Sequence, residues 1–207
     1  MATFLQLVDA RRGHFRFESG HHGELWLDLD ALFAQPNRVD PFVDALVRQL
    51  APHRVEVVCG PLLGGALLAQ LVARALGAEF CFTERVVKDG AQELWRARYQ
   101  LPAAFVPRVA ARRIAIVDDV MSAGSALRGT HASLAEHRAT IVVAGAVLVL
   151  GTTGAHYFEE MGVPVEAVLR DQHVLYSPDE CALCAAGLPL EDLSVPGAGT
   201  APPTVAG

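Results

Sequence analysis

The sequence predicts an α/β protein in which a parallel sheet is covered by helices on both faces. Three observations predict it. Apolar runs of strand length recur at 55–59, 80–83, 114–117, 141–150 and 165–169. Stretches with helix start and stop residues lie between them. The runs at 114–117 and 141–150 lack polar alternation, as expected for strands buried on both sides. Strands separated by helices in this way form parallel sheets and bind ligands at the carboxyl ends of the strands.

The elements follow in order. Asp40-Pro41 opens a helix over 40–50, since Asp is a favoured N-cap and Pro is tolerated at the first helical position. Strand 55–59 runs into the loop Gly60-Pro61-Leu62-Leu63-Gly64-Gly65, and 66–76 forms a helix closed by Gly77. Strand 80–83 precedes a polar segment, 84–98. Strand 114–117 and helix 126–137 come next. The longest apolar run, 141–150, is expected as the central strand, and helix 155–161, closed by Gly162, precedes strand 165–169. Residues 194–207, rich in Pro, Gly and Ala without periodicity, read as a flexible tail.

Composition bounds the function. With 207 residues, 52% hydrophobic and 19% charged, the chain can bury one core and carry a small appendage. No run of about 18 apolar residues lacks a charge, and acid appears as early as Asp9, so neither a membrane span nor a secretory signal is expected. Four cysteines, with Cys59 and Cys81 inside apolar strands, do not make a secreted disulfide framework, and a cytoplasmic location is expected. The net charge of −6 argues against nucleic acid or an anionic membrane as partner. An anionic ligand must therefore meet a local cluster of donors.

That cluster is expected after strand 114–117. The strand ends in two carboxylates, Asp118-Asp119, and a turn of small residues, Ser122-Ala123-Gly124-Ser125, leads into a helix. Such a turn lets backbone N–H groups converge at the positive end of a helix dipole, with the Ser122 and Ser125 hydroxyls as further donors, which makes a phosphate cradle. Carboxylates are wrong for phosphate but right for accepting hydrogen bonds from the vicinal hydroxyls of a ribose. An Asp-Asp pair alone reads as a solvated turn; the pair beside the cradle points to a sugar phosphate.

The string Ile116-Val117-Asp118-Asp119-Val120-Met121-Ser122-Ala123-Gly124-Ser125-Ala126 resembles the motif with which type I phosphoribosyltransferases bind 5-phosphoribosyl-1-pyrophosphate (PRPP). Four further segments resemble the bacterial orotate phosphoribosyltransferase branch. Gly13-His14-Phe15 with Phe17-Glu18-Ser19-Gly20-His21-His22 is similar to its base-site signature, and Gly60-Pro61-Leu62-Leu63-Gly64-Gly65-Ala66 to its pyrophosphate loop. Glu84-Arg85 and Arg96-Ala97-Arg98-Tyr99 resemble the ends of its catalytic loop. Glu180-Cys181-Ala182-Leu183-Cys184 with Gly187-Leu188-Pro189-Leu190 resembles its C-terminal signature.

The resemblance implies a Rossmann-like α/β core over 36–175, an N-terminal hood over 1–35 completed by 176–193, and the tail. It implies transfer of a phosphoribosyl group from PRPP to a nucleobase, orotate first, with release of pyrophosphate. Ser122, Ala123, Gly124 and Ser125 would hold the 5′-phosphate, Asp118 and Asp119 the ribose, and Leu62, Leu63 and Gly64 the pyrophosphate through backbone donors. Mg²⁺ would be held mainly by PRPP and water. Lys88, the only lysine, with Arg85, Arg96 and Arg98, would supply cations from a mobile loop, 85–98, shared between the subunits of a homodimer. Phe17, Ser19, Gly20, His22, Ser122 and Arg98 would surround the base.

Two departures bear on the acceptor. Gly151-Thr152-Thr153 stands where the orotate enzymes usually carry a basic residue, and Glu18 where they tend to have Thr or Lys. Another base, or a PRPP-binding regulator without catalysis, are the alternatives; the negative net charge weakens the regulator. Cys181-Ala182-Leu183-Cys184 has metal-ligand spacing, but one pair without a second pair nearby predicts no zinc. His21-His22 reads as a solvated turn, Trp26 and Trp95 as covers for the base or as core, and Gly13 and Gly20 as turn residues.

Overall fold

The computed structural model describes residues 4, 7–86 and 98–192. In chain order it contains strands β1 (Asp9–Arg16) and β2 (His22–Asp28), helix α1 (Pro36–Leu50), β3 (Val57–Pro61), α2 (Gly64–Leu76), β4 (Glu79–Val86), β5 (Arg98–Gln100) and the short α3 (Val106–Val109). β6 (Arg113–Met121), α4 (Ser125–Glu136), β7 (Thr140–Leu150), α5 (Thr153–Glu160), β8 (Val165–Asp171), α6 (Ala182–Ala185) and β9 (Glu191–Asp192) follow.

The expected α/β architecture is present. Six strands form one sheet in the order β5-β4-β3-β6-β7-β8, parallel except for β5 at the edge. Chain order runs outward from β3 in one direction and from β6 in the other, so the topology switches between these neighbours. The loops after β3 and β6 therefore diverge to opposite faces and leave a crevice at the carboxyl ends.

Both faces are covered. Strand residues alternate between faces with period two, so Ala115 and Val117 meet Leu46 and Leu50 of α1 and Leu68 and Val72 of α2, while Ile114 and Ile116 meet Leu127 and Leu134 of α4 and Phe158 of α5. Burying each such Val, Leu, Ile or Phe side chain contributes about 1.5–3 kcal/mol.

Two element boundaries and one strand position correct the sequence reading. Helix α1 starts at Pro36, which takes the N-terminal proline position assigned to Pro41, and Pro41 lies inside the helix. Pro41 removes only the one hydrogen bond that its missing N–H would make, and the apolar stripe of Val39, Val43, Leu46 and Leu50 holds the helix to the sheet. Strand β6 does not stop before Asp118 but carries both aspartates, because β7 pairs alongside as far as Met121 opposite Val149. The long run in β7 is not central: it lies second from the edge, and its burial comes from helices on both faces together with β8.

A second sheet, β2-β1-β9, joins the N-terminal hairpin to the C-terminal segment. Ion pairs Arg11–Glu191 at 2.6 Å and Arg16–Asp192 at 3.2 Å hold β9 against β1. Gly13 is not in a turn but at the register break of β1, between Arg12 and Phe15. No helix among the described residues is long and apolar enough to cross a membrane.

Candidate active site

The crevice holds two adjacent carboxylates. Asp118 and Asp119 lie near the carboxyl end of β6, only 9% and 6% exposed. The Asp119 N–H donates to Asp118 Oδ1 at 3.0 Å and the Val120 N–H to Asp119 Oδ1 at 2.7 Å. The start of α2 presses on both: a Cβ at Gly64 would lie 2.0 Å from Asp119 Oδ2, and one at Gly65 2.7 Å from Asp118 Oδ1. Glycine is required there so that backbone can approach carboxylate. Burial, then the charge of Asp119, push the Asp118 carboxyl well above the usual carboxylate range. A buried pair of this kind is costly unless donors or a cation meet it, which makes it a candidate ligand site.

Beside the pair, Ser122-Ala123-Gly124-Ser125 turns from β6 into α4. Gly124 takes φ 76°, a left-handed conformation that glycine adopts without strain, and no side chain caps the helix. The first-turn N–H groups of α4, which have no intrahelical acceptor, converge on the turn. Behind it the Gly154 N–H donates to the Ser122 carbonyl at 3.0 Å, fixing the turn to the first turn of α5.

The β1–β2 hairpin borders a cavity of about 380 Å³, with Phe17, Glu18, Ser19 and Trp26 lining it together with Asp118 and the Ser122–Ser125 turn. Glu18 is not isolated there. Arg85 Nε lies 3.3 Å from its Oε2, the Tyr99 hydroxyl donates to Oε1 at 3.1 Å, and Ser125 Oγ donates to the same oxygen at 3.5 Å. Burial and then Glu18 push the Tyr99 hydroxyl far above its ordinary value, so it stays a donor.

Among the residues expected from sequence, Phe17, Ser19, Asp118, Ser122, Ala123, Gly124 and Ser125 line this one cavity. Asp119, on the other face of β6, does not line it and lies instead against Gly64. The Leu62 N–H is not available to a ligand, because it donates to the Thr83 carbonyl at 2.9 Å, and the Leu62 and Leu63 side chains point outward, 38% and 61% exposed. Gly20 forms the hood turn at φ 85°. Arg98 lines a different cavity, with Tyr99 and Arg128. His22 is not solvated: it is 2% exposed, packed against His14, Cys181 and Cys184. Burial, then His14, hold its imidazole below the ordinary value. Lys88, Trp95 and Arg96 lie outside the described residues, as does the 194–207 tail.

Two features escaped the sequence reading. One is the anchoring of Glu18, whose partners Arg85, Tyr99 and Ser125 come from β4, β5 and α4. The other is Arg128. It stacks on Tyr157 at 4.2 Å and shares a cavity of about 750 Å³ with Gly151, Thr152 and Thr153, where sequence alone showed no cation. Its place one turn after the cradle was the signal available.

Comparison with known proteins fits this geometry. Residues 28–163 match the family described as "Phosphoribosyl transferase domain". The orotate phosphoribosyltransferase of Thermotoga maritima is 31% identical over 179 residues, 86% of this chain and 88% of that protein. That of Caldanaerobacter subterraneus is 30% identical over 190 residues, 92% and 93% of the two chains. Among solved structures, orotate phosphoribosyltransferase from Aeropyrum pernix superimposes with TM-score 0.59 at 20% identity, covering 78% of this chain and 87% of its own. Adenine phosphoribosyltransferase from Thermoanaerobacter pseudethanolicus gives 0.61 at 14%, covering 80% and 96%. These structural likenesses speak to the fold.

Proposed function

We propose a reaction for a chain that belongs to the phosphoribosyl transferase domain family: it transfers the phosphoribosyl group of PRPP to a ring nitrogen of a nucleobase, orotate first, and releases pyrophosphate. The observation that carries the reading is the buried Asp118-Asp119 pair set between the small-residue turn Ser122–Ser125 and the glycine start of α2. The order of the three fits a molecule with a phosphate, a ribose and a second anionic group.

The base nitrogen forms its bond to the anomeric carbon as the bond to the pyrophosphate oxygen breaks; the leaving group takes the electron pair, and the N–H proton of the base passes to it. The ribose passes through an oxocarbenium-like state. In this proposal Ser122, Ala123, Gly124 and Ser125 hold the 5′-phosphate, and Asp118 and Asp119 accept from the ribose hydroxyls, whose positive polarisation grows as the ring becomes cationic. Leu63 and Gly64 face the pyrophosphate with N–H groups at the start of α2. Lys88, with Arg96, brings positive charge to the leaving group. Arg85 is assigned instead to the base cavity through its contact with Glu18.

Mg²⁺ suits the donor set: hard carboxylate oxygens stand beside the place assigned to a polyphosphate, and the ion would neutralise charge there, held mainly by substrate and water. The free cysteines suit a cytoplasmic location.

A second reading, the same chemistry on an uncharged base, is favoured by the carboxylate of Glu18 in the cavity wall and by Gly151-Thr152-Thr153. Turnover of a base panel with PRPP and Mg²⁺, followed by pyrophosphate release, separates the two. Orotate is expected to turn over fastest. If adenine, uracil or another uncharged base turns over while millimolar orotate does not, the acceptor assignment fails and the phosphoribosyl transfer stands.

A further inference from the structure

Away from the cavity, four side chains that can ligate a metal converge inside the hood. His14 comes from β1, His22 opens β2, and Cys181 and Cys184 flank and enter α6; their ligating atoms all lie within 4.8 Å of one another. His14 Nε2 is 3.2 Å from His22 Nδ1, 3.5 Å from Cys181 Sγ and 3.7 Å from Cys184 Sγ, and His22 Nδ1 is 3.4 Å from Cys184 Sγ. Three of the residues are buried: His14 and Cys181 are each 4% exposed and His22 2%.

These separations are those of a tetrahedron about a metal. With zinc–nitrogen bonds of about 2.0 Å and zinc–sulfur bonds of about 2.3 Å, tetrahedral angles place two nitrogens about 3.3 Å apart and a nitrogen about 3.5 Å from a sulfur. Hydrogen bonding accounts for the cluster only in part: each thiol can donate to one imidazole nitrogen, which leaves the two nitrogens facing each other at 3.2 Å. His14 Nδ1 lies 2.9 Å from the Leu188 carbonyl and so carries the ring proton, which leaves Nε2 a single lone pair. Three atoms nonetheless crowd that nitrogen. A cation at the centre would satisfy all four ligands, and the Leu188 carbonyl would be the outer partner that fixes the ring's tautomer and orientation.

We propose that His14, His22, Cys181 and Cys184 form a closed, four-coordinate structural site for Zn²⁺. This reverses the expectation of no zinc. That expectation sought a second ligand pair near Cys181 in sequence, whereas His14 lies 167 residues away and reaches it because β9 lies beside β1. The site ties the hairpin β1–β2, whose turn carries Phe17, Glu18 and Ser19 into the cavity, to the C-terminal segment. Four protein ligands leave no open position, so its role is to position that turn, and it does not depend on which base is used.

The test uses the full chain, purified under reductant from cells supplied with zinc. Elemental analysis is expected to find one Zn²⁺ per chain. A stripped sample titrated with Co²⁺ alone is expected to show the visible bands and sulfur charge-transfer band of tetrahedral thiolate coordination. Cys184→Ser is expected to lower Zn²⁺ affinity by at least about 100-fold, more than loss of an outer partner costs. Cys59→Ala, altering a cysteine of β3 outside the cluster, is expected to keep the metal. Zn²⁺ is also expected to raise the Tm of stripped wild type but not of Cys184→Ser. The proposal is overturned if folded, reduced wild type takes up neither ion, if Co²⁺ binds without the sulfur band, or if the Cys181→Ser, Cys184→Ser double variant binds Zn²⁺ as tightly as wild type.

Discussion

Asp118 shows at the scale of one residue how a site is built at a cost to stability. Burial and the neighbouring Asp119 raise its pKa, so the folded protein holds that proton more tightly than the unfolded chain does. Between the ordinary carboxylate value of about 4 and the raised one, the folded state carries more protons, and the contribution to stability falls as pH rises through that window. Asp118→Asn removes the charge, and the ligand-free variant is expected to melt higher at neutral pH, by about 2–4 °C for each 1 kcal/mol of strain relieved. The same change is expected to weaken PRPP binding by about 10–150-fold, the equivalent of 1.5–3 kcal/mol for a hydrogen bond to a charged group. Calorimetric melting across pH and a binding titration check the two halves; a variant less stable at neutral pH with unchanged PRPP affinity would remove Asp118 from the site. The sequence showed both carboxylates because they follow a strand and precede a run of small residues. It could not show that Glu18 meets Arg85, Tyr99 and Ser125, since those partners are 67, 81 and 107 positions away, and that contact exists only once the hood has closed.

Among the elements, those with local signals were legible and those decided by neighbours were not. Gly77 and Gly162 mark helix ends in the sequence and take φ 68° and 70° in the structure. The end of β6 was misplaced because hydrophobicity stops at Val117 while pairing with β7 continues to Met121. The central position expected for β7 failed because apolar content reports burial, and a strand next to the edge is equally buried when helices cover both faces. The start of α2 offers the sharpest test at this scale. At Gly64 a methyl group would lie 2.0 Å from Asp119 Oδ2, and that carboxylate cannot turn away freely while the Val120 N–H holds its other oxygen. Gly64→Ala is therefore expected to displace Asp119 by about 1 Å and lower kcat/KM by about 100-fold, the scale of such a misplacement. Far-UV circular dichroism is expected to be unchanged, because alanine favours the helix. Near wild-type kcat/KM would mean that Asp119 does not need its position.

The whole molecule raises the question of which chain completes each site. The cavity between hood and core presents carboxylates, hydroxyls and backbone donors, whereas the cation assigned to the leaving pyrophosphate, Lys88, belongs to the segment between β4 and β5. The net charge of −6 supplies no general field to replace it. The resemblance read from the sequence implies that the segment serves the partner subunit of a homodimer, and under the proposed reaction Lys88 would stabilise charge that appears only as pyrophosphate leaves. Lys88→Ala is then expected to lower kcat by about 100-fold or more with little change in PRPP affinity, the pattern of a contact made in the transition state. The shared arrangement is tested by mixing. A Lys88→Ala chain keeps its carboxylates but cannot serve its partner, and an Asp118→Asn, Asp119→Asn chain keeps the lysine but cannot hold the ribose. If the segment crosses over, a mixed dimer places the intact lysine of the second chain over the intact carboxylates of the first, giving one complete site. With random exchange of equal amounts, half of the dimers are mixed, and activity is expected to recover to about a quarter of the wild-type rate per chain. Ultracentrifugation fixes the oligomeric state and a co-purified tag isolates the mixed dimer. A monomeric active enzyme, or mixed dimers no more active than either parent, would place Lys88 in its own chain's site or outside the reaction.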